Sequence, residues 1–221
     1  MKLYRFEHGP IQILAVPVLN DNFDYLICRA GKALLVDASE AAPVRRALEE
    51  NGLELEQILL THEHYDHIGG LSELALLCSG GATGVVGQVR EIPTPGHTID
   101  DTAYYFPEAA AVFTGDCLIN GACGRLLGGT AEELYDSLQR IKVLPDETRV
   151  FGGHDYLEDN LRFGLSVEPD NAQIKARLEL YRTDPAAAIF STLGEEKQSN
   201  VFLRAKTAGE FAALRSAKDR F

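Results

Sequence analysis

Residues Thr61-His62-Glu63-His64-Tyr65-Asp66-His67 place four potential metal ligands, His62, His64, Asp66 and His67, within six residues. Such a cluster constrains the fold. Side chains this close in sequence share one pocket only if the backbone beneath them is extended and then turns. Gln57-Ile58-Leu59-Leu60 reads as a strand before the cluster, and Gly69-Gly70 as a turn after it. On an extended backbone, residues two apart point the same way. His62, His64 and Asp66 can therefore face one pocket, and the turn brings in His67. Three of the six histidines in the chain lie here, so a merely polar loop is a poor account of the stretch. The first two histidines are two apart, which sets the cluster apart from the helical His-Glu-x-x-His pattern of zinc proteases. Imidazole and carboxylate suit zinc, iron or manganese, and no cysteine lies close enough to suggest a structural zinc knot.

Further strand ends carry polar residues of the same kind. Ile11–Val18, Phe23–Cys28 and Ala33–Val36 read as strands, with turns at Asn20-Asp21-Asn22 and Gly31. Asp37 closes the third. Ser39 is expected to cap a helix that buries Val44, Ala47 and Leu48 and ends at Gly52. Residues 71–78 suggest a short helix, and Gly80, Gly81, Gly84 and Gly87 break the following stretch into turns and short strands. Pro93-Thr94-Pro95-Gly96-His97-Thr98 is a rigid loop with one histidine. Strands over Thr102–Phe106 and Ala111–Phe113 lead to Thr114-Gly115-Asp116. Thr130 and Glu133 predict a capping box for a helix whose stripe is Leu134, Leu138 and Ile141. Arg149-Val150-Phe151 leads to Gly152-Gly153-His154. A lone His or Asp at a strand end is more often structural than a ligand. Four such ends in one chain, each near a glycine that permits close backbone approach, point the other way.

After about residue 165 strands fade. Ile174, Leu178 and Tyr181 share a helical face, and Thr207 with Glu210 predicts a capping box for a last helix holding Phe211 and Leu214. Arg215 and Lys218, three apart, share a face of that helix. The expected organisation is a catalytic unit over 1–165 and a small helical unit over 166–221.

Composition narrows the function classes. The chain has 221 residues and a net charge of −12, which argues against nucleic acid as a partner, although a local basic patch could hold a small anion. Met1-Lys2-Leu3-Tyr4-Arg5 lacks the apolar run of a signal peptide, and no stretch is long enough to span a bilayer. Cys28, Cys78, Cys117 and Cys123 are scattered without metal or disulfide spacing, so free thiols in a reducing cytoplasm are expected. Cys117, beside Asp116, reads as a small buried residue.

The signature His62-Glu63-His64-Tyr65-Asp66-His67, the loop Thr94-Pro95-Gly96-His97-Thr98 and Gly115-Asp116-Cys117-Leu118 with Ala122-Cys123-Gly124-Arg125 resemble the metallo-β-lactamase superfamily. Gly153-His154-Asp155-Tyr156, Asn160-Leu161, Val167-Glu168-Pro169 and Ser191-Thr192-Leu193 with Glu195-Glu196 narrow the resemblance to its glyoxalase II (hydroxyacylglutathione hydrolase) branch. So do Asn200-Val201-Phe202-Leu203-Arg204 and the ending Leu214–Phe221, which is close to bacterial members. The resemblance implies an α/β fold, an αββα sandwich of two mixed sheets flanked by helices, with a small C-terminal helical domain. It implies two divalent metal ions, zinc first, with iron or manganese as alternatives. His62, His64 and His97 would hold one; Asp66, His67 and His154 the other; Asp116 would bridge them. Asp66 and Asp116 would act in catalysis with a metal-activated hydroxide. Arg125, Tyr156, Arg215 and Lys218 would grip the glutathione part of the substrate. Asp155 and Asp37 are candidate braces for ligand histidines.

The implied reaction is hydrolysis of an S-(2-hydroxyacyl)glutathione, typically S-D-lactoylglutathione, the second step of methylglyoxal detoxification, by a cytoplasmic monomer acting on a small molecule. A thiolate leaves readily, since free thiols titrate near ~8.5, so no strong general acid is needed. This explains a chain with no evident serine nucleophile or Cys-His pair. Three departures bear on substrate preference: the stretch from His67 to His97 is short, Leu127 and Gly128 stand where the family places an aromatic and often Glu, and Asp100-Asp101 follows the histidine loop. An iron-dependent persulfide dioxygenase is the alternative from a redox class, and a broader hydrolase of other thioesters, lactones or β-lactams is a second. A non-catalytic metal-binding or interaction module is the third, and the full ligand set argues against it.

Overall fold

The computed structural model describes residues 3–80 and 87–221; the turns expected at Gly81 and Gly84 lie outside the described residues. Five strands form the first sheet in sequence order: β1 (Tyr4–His8), β2 (Ile11–Val18), β3 (Asn22–Arg29), β4 (Lys32–Val36) and β5 (Glu54–Leu59). Four form the second, also in order: β6 (Arg90–Pro93), β7 (Thr102–Phe106), β8 (Ala111–Gly115) and β9 (Arg149–Gly152). Each sheet is an antiparallel meander that ends in one parallel pair, β4 with β5 and β8 with β9. A parallel pair needs a long crossover, and a helix supplies it each time: α1 (Ala41–Asn51) in the first sheet. After β5 come the short helices α2 (Tyr65–Ile68) and α3 (Leu71–Leu74), and then α4 (Ala131–Lys142), the crossover of the second sheet.

The first sheet is buried on both faces, which explains why β2 reads as a continuous apolar run rather than an alternation. Ile11, Ile13, Ala15, Tyr25 and Ile27 join the core between the sheets, where Phe113 stacks on Phe151 at 4.9 Å. Leu14, Val16, Leu26 and Leu35 face the other way, onto Val44, Ala47 and Leu48 of α1. The architecture is the αββα sandwich that the resemblance implied.

Most expected elements stand. Thr130 and Glu133 cap α4 reciprocally, and Leu134, Leu138 and Ile141 are its buried stripe. Gly52, left-handed at φ 59°, closes α1. The sequence reading missed β1, and it expected short strands after Gly87 without placing β6, whose Pro93 it put in the histidine loop. Both are short edge strands, and Pro93 stands in β6. Ser39 does not cap α1: its hydroxyl donates to Asp24 Oδ1 at 2.6 Å, and Glu40 takes the cap position. Thr207 accepts from Glu210 N, but the Glu210 carboxylate turns back to Lys206 N instead of closing the box.

The helices continue as α5 (Leu157–Val167), α6 (Ala172–Thr183), α7 (Pro185–Ile189), α8 (Leu193–Ser199), α9 (Val201–Arg204) and α10 (Ala208–Lys218). α5 spans residue 165. Ile174, Ile189, Phe202 and Phe211 of these helices share one buried cluster with the inner faces of the sheets. A buried polar knot ties them to the segment after β8. The Glu196 carboxylate, fully buried, accepts from Arg177, Ser191, Asn200 and the backbone N of Gly121.

Candidate metal centre

Every candidate ligand lies just past the C-terminal end of a strand or on the loop or short helix that follows it. His62 and His64 follow β5, and α2 turns the chain so that Asp66 and His67 face back toward them. His97 follows β6, Asp116 follows β8 and His154 follows β9. Two glycines make the convergence possible. A Cβ on Gly153 would sit 2.5 Å from Asp116 Oδ1 and 2.7 Å from His67 Cε1. Gly96 has φ 146° and lies where a Cβ would meet Leu134 at 2.4 Å, so only glycine lets the His97 loop pack on α4.

The hydrogen bonds fix which nitrogen each ring offers. His67 Nδ1 donates to Asp37 Oδ2 at 2.9 Å, and His154 Nδ1 to Asp21 Oδ1 at 3.0 Å. His97 Nδ1 donates to the Arg125 carbonyl at 2.8 Å. The Thr61 hydroxyl donates to Asp37, so its oxygen accepts from His62 Nδ1 at 3.1 Å. Four Nδ1–H groups are thus engaged, and the Nε2 atoms of His62, His67, His97 and His154 are left for other partners. His62 Nε2 and His97 Nε2 lie 3.1 and 3.0 Å from His64 Nδ1. Ligands arranged tetrahedrally around a zinc with Zn–N near 2.05 Å stand about 3.3 Å apart, so the spacing suits a shared cation. His67 Nε2 and Asp116 Oδ1 are buried with no hydrogen-bond partner, as expected of atoms whose partner is an ion.

Asp116 lies between the two groups. Its carboxylate is 3.5 Å from His97 Nε2, 3.4 Å from His154 Nε2 and 3.6 Å from His67 Nε2. Asp66 Oδ2 is 3.4 Å from His154 Nε2 and 3.7 Å from His67 Nε2. The ligand atoms of His62, His64 and His97 fall within 4.8 Å of one another, as do those of Asp66, His67 and His154. The residues therefore fit a pair of cations.

Electrostatics agree. Burial and the neighbouring His67 push His62 down to about 3, so it stays neutral. Burial opposes a charge on His67 too, but Asp37, Asp116 and Asp66 outweigh it and lift His67 to about 9. Burial likewise opposes the Asp116 carboxylate, yet His154, His67 and His97 hold it well below the usual carboxylate range. The pocket favours added positive charge. Asp37 sits in the left-handed region at φ 62°, uncommon for a residue other than glycine, while its carboxylate serves Thr61 and His67.

A cavity of about 490 Å³ opens from this centre. His64, Asp66, His97, Asp116 and His154 line one end, and Arg125, Tyr156, Arg215 and Lys218 line it as well. The four expected substrate residues differ in state. Arg125 is exposed. Tyr156 stacks on the His154 ring at 4.7 Å, and its hydroxyl lies 3.4 Å from Asp21. Lys218 rests over Phe163, and burial together with Arg215 lowers its pKa. Arg215 is 3% exposed and already engaged: it donates to Cys123 O at 2.7 Å, Gly124 O at 3.3 Å and Asp219 at 3.0 Å. It holds the turn that carries Arg125, although the resemblance placed it in the grip on glutathione.

Asp37 braces His67, but Asp155 braces no ligand. It accepts from Tyr181 and from Leu157 N, and Asp21 takes its expected place at His154. Asp21 and Asn22 are site residues that sequence reasoning took for a simple turn. Asp101, one of the acidic departures, is buried and holds the histidine loop by accepting from Thr98 N at 2.7 Å. Cys117 is fully buried, and all four cysteines are free.

Comparisons with known proteins bear on this site. Residues 20–80 and 79–154 match the metallo-beta-lactamase superfamily, and residues 155–221 match the family described as hydroxyacylglutathione hydrolase C-terminus. A hydroxyacylglutathione hydrolase of Ruegeria pomeroyi is 36% identical, covering 96% of this chain and 100% of its own. One from a Bradyrhizobium species is 42% identical over 85% of this chain and 84% of its own. The crystal structure of ETHE1 from Myxococcus xanthus superposes with a TM-score of 0.62 at 26% identity, covering 98% of this chain and 90% of that one.

Proposed function

The chain belongs to the hydroxyacylglutathione hydrolases, a branch of the metallo-β-lactamase superfamily, and from that premise we propose that it hydrolyses S-(2-hydroxyacyl)glutathione, typically S-D-lactoylglutathione. The products are a 2-hydroxy acid and glutathione, the second step of methylglyoxal detoxification. One observation carries the reading. A single cavity holds the converging imidazoles and carboxylates at one end and also opens onto Arg125 and Lys218, the cations that an anionic tripeptide needs.

In this reading His62, His64 and His97 would hold one divalent ion and Asp66, His67 and His154 the other, and Asp116 lies between the two groups of residues; zinc would suit the imidazole-rich set. Divalent ions held there supply an acidified water and a Lewis acid for the thioester carbonyl. The protein's own part is orientation. Asp37, Asp21, Thr61 and the Arg125 carbonyl fix the four histidine tautomers, so each Nε2 lone pair faces inward. Asp116 and Asp66 balance the charge of the ions. Arg125 and Lys218 meet the carboxylates of glutathione. Arg215 shapes the wall by holding Cys123 and Gly124, and Tyr156 forms a face beside His154. Catalysis is assigned to residues 1–165, and the grip is shared: Lys218 and the wall held by Arg215 come from residues 166–221, Arg125 and Tyr156 from the first unit. Each chain carries a full set of site groups, which supports a monomer. The net charge of −12 supports a small-molecule substrate rather than nucleic acid, and among the described residues no helix is long and apolar enough to cross a membrane. Four free thiols suit a cytoplasmic setting.

The test compares two thioesters of the same acyl group, one on glutathione and one on N-acetylcysteamine, which lacks both carboxylates. The reading expects kcat/KM on the glutathione ester to be higher by about 10²-fold or more, the value of two charge-assisted contacts. Equal values would remove glutathione from the assignment and favour a broader hydrolase.

A further inference from the structure

The candidate ligands are secured in two different ways. His62 is held by Thr61, at the end of its own strand, and His97 by the Arg125 carbonyl, on the segment that runs on from Asp116. Asp66 and His154 are held from neither of their strands, by the end of the turn that joins β2 to β3 and the first residue of β3. Asn22, 4% exposed, donates its amide to Asp66 O at 3.2 Å and to Asp66 Oδ2 at 3.1 Å. Its neighbour Asp21 accepts from His154 Nδ1 at 3.0 Å. The backbone repeats the connection. Asn22 pairs with His154 in an antiparallel bridge, Phe23 N donates to Gly153 O, and Asp155 N donates to Asp21 O. The turn is itself anchored, since Leu19 N donates to Glu40 at 3.1 Å.

Both side-chain bonds act on atoms that point at the same place. Asp66 Oδ2 and His154 Nε2 are 3.4 Å apart. Asp66 is half-exposed on a one-turn helix, so without Asn22 its carboxylate could rotate toward solvent. Without Asp21, the carboxylates left beside His154 are Asp66 and Asp116, each 3.4 Å from Nε2, and they favour the proton on the nitrogen that should face the ion. A ligand that must be ordered, or its tautomer changed, when the ion arrives binds that ion less tightly.

We propose that Asp21 and Asn22 are positioning residues that set the occupancy of the ion held by Asp66, His67 and His154, and leave the ion held by His62, His64 and His97 in place. The proposal rests on the two-ion reading given above. Loss of either side chain converts the centre from a two-ion to a one-ion site.

The experiment counts metal. The full chain and its Asn22→Ala, Asp21→Ala and Asp21→Asn variants are loaded with zinc, dialysed and analysed for bound metal. Stepwise affinities are then titrated against a chromophoric chelator, and circular dichroism checks the fold. The full chain should retain two ions. Asn22→Ala and Asp21→Ala should retain one, with the weaker step lowered by about 10–100-fold and the tighter step unchanged. Asp21→Asn keeps an acceptor for His154 and should recover most of the second step; it also serves as the test should the alanine variant fail to fold. Two ions held in the alanine variants with unchanged affinities would overturn the proposal. So would equal weakening of both steps. A full chain that binds fewer than two ions would overturn the two-ion reading, and the proposal with it.

Discussion

The metal end and the cationic side of the cavity are built from the same kinds of polar residue but by opposite means. At the metal end, the candidate ligands come from the segments after four strands, and each buried imidazole is tied to an oxygen behind it. The side chains are fixed before anything binds, and buried atoms such as His67 Nε2 are left without partners. On the cationic side, the most buried charge, Arg215, is largely spent on carbonyl oxygens and Asp219, while Arg125 stays exposed. The metal end is therefore preorganised for chemistry, and the cationic side for adaptable binding. Changes at the first should strike kcat; changes at the second should strike KM.

The largest break in that contrast is Asp116→Ala. It removes the carboxylate that approaches His67, His97 and His154, so kcat/KM should fall by more than the roughly 10–100-fold typical of outer partners of a metal site. Removing metal with a chelator should give a similar loss in steady-state assays, restored by adding zinc. Next in size is Arg215→Met, which leaves the Cys123 and Gly124 carbonyls without their donor in a buried place. Chemical denaturation should register a loss of about 2–4 kcal/mol. If stability were unchanged, Arg215 would be a ligand-facing charge after all, and the contrast would weaken.

Lys218→Ala tests the adaptable side directly. KM for the glutathione thioester should rise about 10-fold, the worth of one charged contact, with kcat within about twofold. The same lysine gives a pH signature. Its pKa is lowered, first by burial and then by Arg215, and only its charged form attracts a carboxylate. KM should be low at neutral pH and rise as the pH climbs through a range below the ordinary lysine value, and the rise should be absent in Lys218→Ala. The smallest effect belongs to neither end. Thr130→Ala removes the cap of α4 and should cost about 1 kcal/mol of stability with kcat/KM unchanged.

The same two ends differ in how well the sequence discloses them. Candidate metal ligands are legible because three histidines and an aspartate crowd into one strand end, and because His97, Asp116 and His154 recur at others. Local density of rare residue types survives without any knowledge of packing. The partners behind them are less legible. Asp155 is next to His154 in sequence, yet the carboxylate that reaches His154 is Asp21, 133 residues away. Arg215 shares a face of an ordinary helix with Lys218, and what engages it, the ring of Phe202 and a carbonyl 92 residues earlier, is not written beside it. Ser39 looks like a helix cap until the carboxylate of Asp24 captures its hydroxyl. Strands with two buried faces, such as β2, stand out by their apolar runs, whereas the short edge strands β1 and β6 carry little pattern to read.

The most direct test of the account is steady-state hydrolysis of S-D-lactoylglutathione by the purified chain, with bound metal counted on the same sample. The account expects turnover, about two ions per chain, and loss of both on chelation. Two ions without turnover of this thioester would contradict the substrate assignment. A single iron with oxygen consumed on glutathione persulfide would contradict the hydrolytic account altogether.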